Sequence, residues 1–198
     1  GGYFAGGFPR YLARGGLPLD YLDCALRHNS GDIDIFFPTL DDAMRGTQEF
    51  LGYRSFAGFC SEKMVTLAEH RIKVQLVNHP DMIRGNPEAC VKTFDFKNCA
   101  VWMHGMSVMV PDGWDEIEEQ RLLDIQSVAS PFLGGRIIKY LRKRGYLGLT
   151  PGSRNHIKEW MLRAARGEFD DTFNEAHLSG VKSALKKIVS KRGLIDSE

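Results

Sequence analysis

The chain has 198 residues, 43% of them hydrophobic and 26% charged, with a formal net charge of +1. That is the make-up of an ordinary globular chain of one domain, or one domain with an appendage, long enough to bury a core without a disulfide or metal staple. No apolar run approaches the ~18 residues of a membrane-spanning helix, and the N-terminus shows neither the basic nor the apolar region of a signal peptide.

The four cysteines (Cys24, Cys60, Cys90, Cys99) are widely spaced, with no Cys-x-x-Cys pair. This argues against a zinc site and predicts reduced thiols in an intracellular, cytoplasmic protein without a membrane partner. The near-zero net charge conceals an asymmetry. Residues 1–133 hold 12 Lys/Arg against 18 Asp/Glu, whereas residues 134–198 hold 14 against 7. An acidic body suits bound cations, and a basic tail suits a polyanion.

In chain order, Gly6-Gly7 opens a turn, and Phe8 to Arg14 reads as a short helix. A loop over His28 to Gly31 leads into Asp32-Ile33-Asp34-Ile35-Phe36-Phe37, whose period of two predicts a strand ending at Pro38. Thr39 and Asp42 resemble a capping box, and Leu40, Ala43, Met44, Phe50 and Leu51 keep helical spacing after it. Strands are predicted over 71–77 and 92–103, with Phe94 and Phe96 facing one side and Asp95 the other, and a loop with a short helix over 80–87.

Pro111-Asp112-Gly113 marks a turn, after which helices are predicted around 115–128, 134–144, 153–166 and 173–191. Glu118 and Glu119 read as a solvated helix face, and Trp160 and Phe169 as core. The boundary falls near residue 112, dividing an α/β body (1–112) from a basic helical segment (113–198).

Chemistry concentrates at Asp32-x-Asp34. Two residues apart on a strand, both carboxylates project from the same face. They repel one another, and a divalent cation with a preference for hard oxygen ligands, such as Mg²⁺, relieves that repulsion. Asp95 lies between two phenylalanines and needs a partner of its own: a cation, a ribose hydroxyl or a salt bridge. Arg136, Lys139 and Arg142 recur at spacings of three, near one helix face. On the last predicted helix Val181, Leu185, Ile188 and Val189 form an apolar stripe, with Lys182, Lys186 and Lys187 placed elsewhere on it.

The ordered set Gly6-Gly7-Phe8-Pro9-Arg10, Gly31-Asp32-Ile33-Asp34 and Asp95-Phe96-Lys97-Asn98-Cys99-Ala100, followed by Arg136 to Arg142, resembles the head and neck of polymerase β-type nucleotidyltransferases. Within that superfamily the likeness is to bacterial-type CCA-adding enzymes and poly(A) polymerases, and it covers residues 3–146. The chain departs from their pattern at Tyr11, where they carry Asp, at Thr93 and Phe94, where they carry paired arginines, and at Cys99, where they carry Asn.

The resemblance implies an α+β fold: a nucleotidyltransferase head with a mixed sheet flanked by helices, then a small helical neck-like domain. It implies transfer of a nucleoside monophosphate from an NTP to an acceptor, foremost an RNA 3′ hydroxyl (tRNA or a small RNA). Asp32 and Asp34 would hold two Mg²⁺ ions, and Asp95 would be a third site carboxylate or a nucleotide contact. Gly6, Gly7 and Arg10 would meet the phosphates, with Arg136 and Lys139 near the nucleotide. Arg142, Lys182, Lys186 and Lys187 would meet RNA phosphates. Transfer to a protein side chain and a non-catalytic RNA-binding module are the two other readings.

Overall fold

A computed structural model describes residues 1–22, 32–51, 60–67 and 70–169, together with Ser183. The predicted helix over 173–191, with Lys182, Lys186 and Lys187, lies outside them. The chain divides into two compact units, one of residues 1–94 and 99–112, the other of residues 95–98 and 113–198.

The first unit is a mixed sheet with helices packed on it. Its elements are β1 (Tyr3–Ala5), α1 (Gly7–Ala13), β2 (Asp32–Phe36), α2 (Leu40–Leu51), β3 (Cys60–Leu67), β4 (His70–Val77), α3 (Pro87–Val91), β5 (Trp102–His104) and β6 (Ser107–Met109). Six strands lie in the order β3-β4-β2-β1-β5-β6; β2 and β4 run parallel, and every other pair is antiparallel. Thr39 caps the head of α2: the Asp42 N–H donates to Thr39 Oγ1 (3.1 Å), and that hydroxyl donates to Asp42 Oδ2 (2.7 Å), a side-chain pair in place of the reciprocal bond of a capping box. Leu40 and Met44 are exposed despite their spacing, and among the described side chains of that helix Ala43 and Thr47 are buried.

Alternation along β2 separates two environments. Ile33 packs with Leu22, Ile72 and Val74 on one face. On the other, Phe36 is buried with Tyr3, Ala5, Cys90, Val91 and Ala100. Going back along the strand from Phe36, that second face carries Asp34 and then Asp32, which are only partly buried. The same strand thus anchors a core at one end and presents carboxylates at the other.

The second unit contains α4 (Trp114–Glu119), β7 (Leu122–Leu123), α5 (Leu133–Lys143), β8 (Gly148–Leu149) and α6 (Pro151–Ala165), with β7 and β8 paired in parallel. Leu133, Ile137 and Leu141 of α5 are buried at intervals of four, and Ile157, Trp160 and Ala164 of α6 at intervals of three and four. Trp160 stacks on Phe169, ring centroids 6.0 Å apart, as core residues should.

Four expectations are corrected here. Residues 92–103 form no continuous strand: a turn is followed by one bridge at Phe96, a 3-10 turn over Lys97–Cys99, and only then β5. The cause is Asn98. Its buried amide donates to Glu118 Oε1 (2.7 Å) and the Leu122 carbonyl (2.9 Å) and accepts from the Asp124 N–H (2.8 Å), three bonds that a sheet position would not supply. Phe94 and Phe96 accordingly do not share a side. Phe94 packs on Phe36 in the first unit (5.5 Å between ring centroids), and Phe96 on Tyr140 in the second (5.0 Å).

The predicted helix over 115–128 stops at Glu119, because Arg121 adopts a positive φ of 54° and the chain turns into β7. Glu118, expected on a solvated face, is buried and accepts a hydrogen bond from the Tyr146 hydroxyl at 2.5 Å besides that from Asn98.

Candidate active site

The two aspartates of β2 stand where the period of two puts them, on one face of the sheet. In register beside them, on the parallel strand β4, are Lys73 opposite Asp32 and Gln75 opposite Asp34; Glu62 of β3 is opposite Gln75 on the far side. The side chains link up across these strands. Lys73 Nζ lies 3.6 Å from Asp32 Oδ2 and 3.5 Å from Glu62 Oε2, and Gln75 donates to Glu62 Oε2 at 2.8 Å.

Charge is unevenly matched along this row. Burial opposes the charge on Lys73, but Asp32 and Glu62 together hold its ammonium above the usual lysine range. The hydrogen bond from Gln75, and then Lys73, keep Glu62 below the usual carboxylate range. Asp34 is different: burial first, and the neighbouring Asp32 charge second, push its carboxyl up to about 7, with Lys73 only partly opposing them. Among the described residues no hydrogen-bond donor or salt-bridge partner reaches the Asp34 carboxylate.

The Gly6 turn sits against this acid. Its φ of 86° and ψ of −125° form a backbone shape that glycine adopts readily and other residues do not, and a Cβ there would lie 3.9 Å from Asp34 Oδ2 and 4.0 Å from the Phe94 ring. The Gly6 N–H is given to the Val101 carbonyl (2.9 Å). What Gly6 contributes is the turn and the open approach to Asp34. The backbone donors with no carbonyl one turn earlier are those of Gly7 and Phe8, since Pro9 has none.

Tyr21 locks the arrangement. Its hydroxyl donates to the Asp32 carbonyl (2.8 Å) and lies 3.2 Å from where a Cβ on Gly7 would stand. Its ring packs between Phe8 and Tyr11, with centroids 5.2 and 5.3 Å away. Arg10 is half-buried on α1.

The remaining predicted residues belong to the second unit. Asp95 is 5% exposed and finds its partner in a salt bridge to Arg136 on α5. Burial pushes its carboxyl up, and the Arg136 guanidinium draws it back down. Arg136, Lys139 and Arg142 all lie on the solvent side of α5, and Arg136 also rests over the Phe132 ring. Lys73, Glu62 and Tyr21 are residues that sequence reading passed over. The alternation Ile72-Lys73-Val74-Gln75-Leu76 already placed Lys73 and Gln75 on one face, but the strand beside them was unknown.

As a set of donors, Asp32 and Asp34 offer hard carboxylate oxygens beside one lysine ammonium, which pairs with Asp32 and leaves Asp34 largely uncompensated. That chemistry fits a divalent cation such as Mg²⁺. Among the described residues no group of three or more His, Cys, Asp or Glu forms a closed metal cage, so water and substrate oxygens would complete the coordination. Among the described residues Cys90 and Cys99 form no disulfide, and no helix is long and apolar enough to cross a membrane.

No protein-family model matches the sequence, and no curated protein matches it significantly. Solved structures do match. A tRNA-processing enzyme with CTP superposes with a TM-score of 0.60 at 13% identity, over 98% of this chain and 53% of that one. A tRNA nucleotidyltransferase complexed with a primer tRNA and an incoming ATP analog gives 0.59 at 11% identity, over 96% and 57%. The Thermotoga maritima CCA-adding enzyme complexed with tRNA(CCA) gives 0.55 at 14% identity, over 98% and 47%. The chain spans about half the length of these structures. At such identities the likeness shows the fold, and this chain has the polymerase β-type nucleotidyltransferase fold.

Proposed function

We propose that the protein transfers a nucleoside monophosphate from an NTP to an RNA 3′ hydroxyl, with Mg²⁺ held by Asp32 and Asp34. The observation that carries this reading is the uncompensated Asp34 carboxylate beside the Gly6 turn, with Asp32 one step along the same strand face. The fold supports it, and so do the NTP and tRNA named in the matched structures.

In the reaction a bond forms between the acceptor oxygen and the α-phosphorus, the bond from that phosphorus to the β-phosphate oxygen breaks, pyrophosphate leaves, and the hydroxyl proton passes to water. Bound Mg²⁺ supplies positive charge for the acceptor oxygen and the phosphates. The chain's own residues position the parts. Tyr21 fixes Asp32 through its carbonyl, and the Gly7 and Phe8 N–H groups and Arg10 are assigned to the phosphates. Arg136 and Lys139 are assigned to the nucleotide, with Asp95 either holding Arg136 for that contact or meeting the nucleotide itself. Arg142, Lys182, Lys186 and Lys187 are assigned to RNA phosphates. In this reading residues 1–112 are the nucleotidyltransferase head and 113–198 the neck and basic tail.

The test is incubation with Mg²⁺, each labelled NTP in turn, and a pool of tRNA and small RNAs. Label is expected on RNA, with losses of at least ~10²-fold in Asp32→Ala and Asp34→Ala, the scale expected when a metal-holding group is removed. Label on protein instead of RNA would move the assignment to a protein side-chain acceptor. No label with any NTP, or equal label from the two variants, would end the reading.

A further inference from the structure

The geometry points to Lys73 as a built-in cation that takes one of the two cation places of the site, so that the protein binds a single divalent metal ion, on the Asp34 side. This inference rests on the functional reading above and narrows its metal requirement.

Three observations carry it. Lys73 is in register with Asp32 across two parallel hydrogen-bonded strands, so its stem leaves the sheet on the carboxylate face and cannot turn to the other. Its ammonium stands between two acids at nearly equal distances, 3.6 Å from Asp32 and 3.5 Å from Glu62, the place a cation bridging two carboxylates would take. The remaining acid, Asp34, is the one no described cation pairs with. Asp32, Asp34 and Glu62 together carry three negative charges; Lys73 neutralises one, and the two left match one divalent ion. A second ion bridging Asp32 and Glu62 would need oxygens at the ~2.0–2.6 Å of Mg²⁺ or Ca²⁺ coordination, where the ammonium now stands. Lys73 would have to swing away and leave both acids.

Lys73 is thereby a positioning residue: it holds one oxygen of Asp32 and leaves the other, with Asp34, for the metal. Mn²⁺ serves as the probe, because bound ions are counted directly by electron paramagnetic resonance and equilibrium dialysis, independently of catalysis. The full chain is titrated with Mn²⁺ at pH 8 and low salt, without nucleotide.

Wild type and Lys73→Arg are expected to bind one ion per chain. Lys73→Ala is expected to bind a second, between Asp32 and Glu62, and Lys73→Ala combined with Glu62→Gln to return to one. Circular dichroism melts accompany each variant, and Lys73→Arg tests the charge where Lys73→Ala melts low. Two ions on the wild-type chain would overturn the assignment of Lys73 and leave the metal-dependent reading standing. An unchanged count in Lys73→Ala would overturn it as well. No ion on the wild-type chain would overturn both.

Discussion

Asp34 shows how a buried, poorly compensated acid burdens the fold that holds it. Its carboxyl titrates near 7 in the folded chain, against an ordinary value of 3.8. Between those values the folded protein keeps a proton that the unfolded chain has released, so stability falls as pH rises through that window and stays low above it. Without divalent metal, Asp34→Asn is therefore expected to melt several degrees above wild type at pH 8, a gain of about 1–2 kcal/mol, and close to wild type at pH 4. Added Mg²⁺ should narrow the gap at pH 8 by raising the wild type alone. Thermal melts at the two pH values check it, and a wild-type protein more stable at pH 8 than its Asn variant would contradict it.

Gly6 is the complementary case, a residue chosen for backbone shape. Contacts at 3.9–4.0 Å leave room for a methyl group, so Gly6→Ala is costly only through its φ and ψ. A loss of about 1–3 kcal/mol is expected in a denaturant melt, with the variant still folded in buffer. At this scale the two aspartates were legible because a strand's period is two whatever its neighbours. Lys73 was not: its meaning depends on which strand lies beside β2 and in what register, and both are settled by tertiary packing.

At the scale of elements, helix and strand patterns read well wherever one face is apolar, as in β2, β4, α5 and α6. They misled over 92–103, where the alternation of aromatic and polar residues has a different origin. Phe94 and Phe96 alternate because two cores claim them, and Asn98 holds the intervening turn through side-chain bonds that no periodicity encodes. Strand β3 was missed altogether, since its Ser61-Glu62-Lys63 opening is polar on both faces.

Glu118 is the anchor of the Asn98 arrangement. It accepts from both Asn98 and Tyr146 inside the second unit, so Glu118→Ala strands two buried donors at once. A destabilisation of about 2–4 kcal/mol is expected in a urea titration, with Glu118→Gln costing less because it keeps an acceptor oxygen. An Ala variant as stable as wild type would show that the pair is not buried from water.

At the scale of the whole molecule, the charge asymmetry remains the plainest clue to a partner. If the basic segment holds RNA, affinity should fall at least tenfold between 50 and 200 mM KCl. Replacing Lys182, Lys186 and Lys187 together by Ala should flatten the slope of log affinity against log salt by about 2. Filter binding at several salt concentrations measures both. A slope that ignores the three lysines would place the RNA elsewhere.

The interleaving of the two units along the chain has a consequence for how the protein is made. Residues 95–98 leave the ribosome before β5 and β6, yet the groups that bury Phe96 and Asn98 come from Trp114 to Tyr140, at least sixteen residues later. Until those are synthesised, the Phe96 ring and the Asn98 amide wait in the nascent polypeptide without the groups that bury them. Expressing residues 1–112 alone would leave that same ring and amide without their partners.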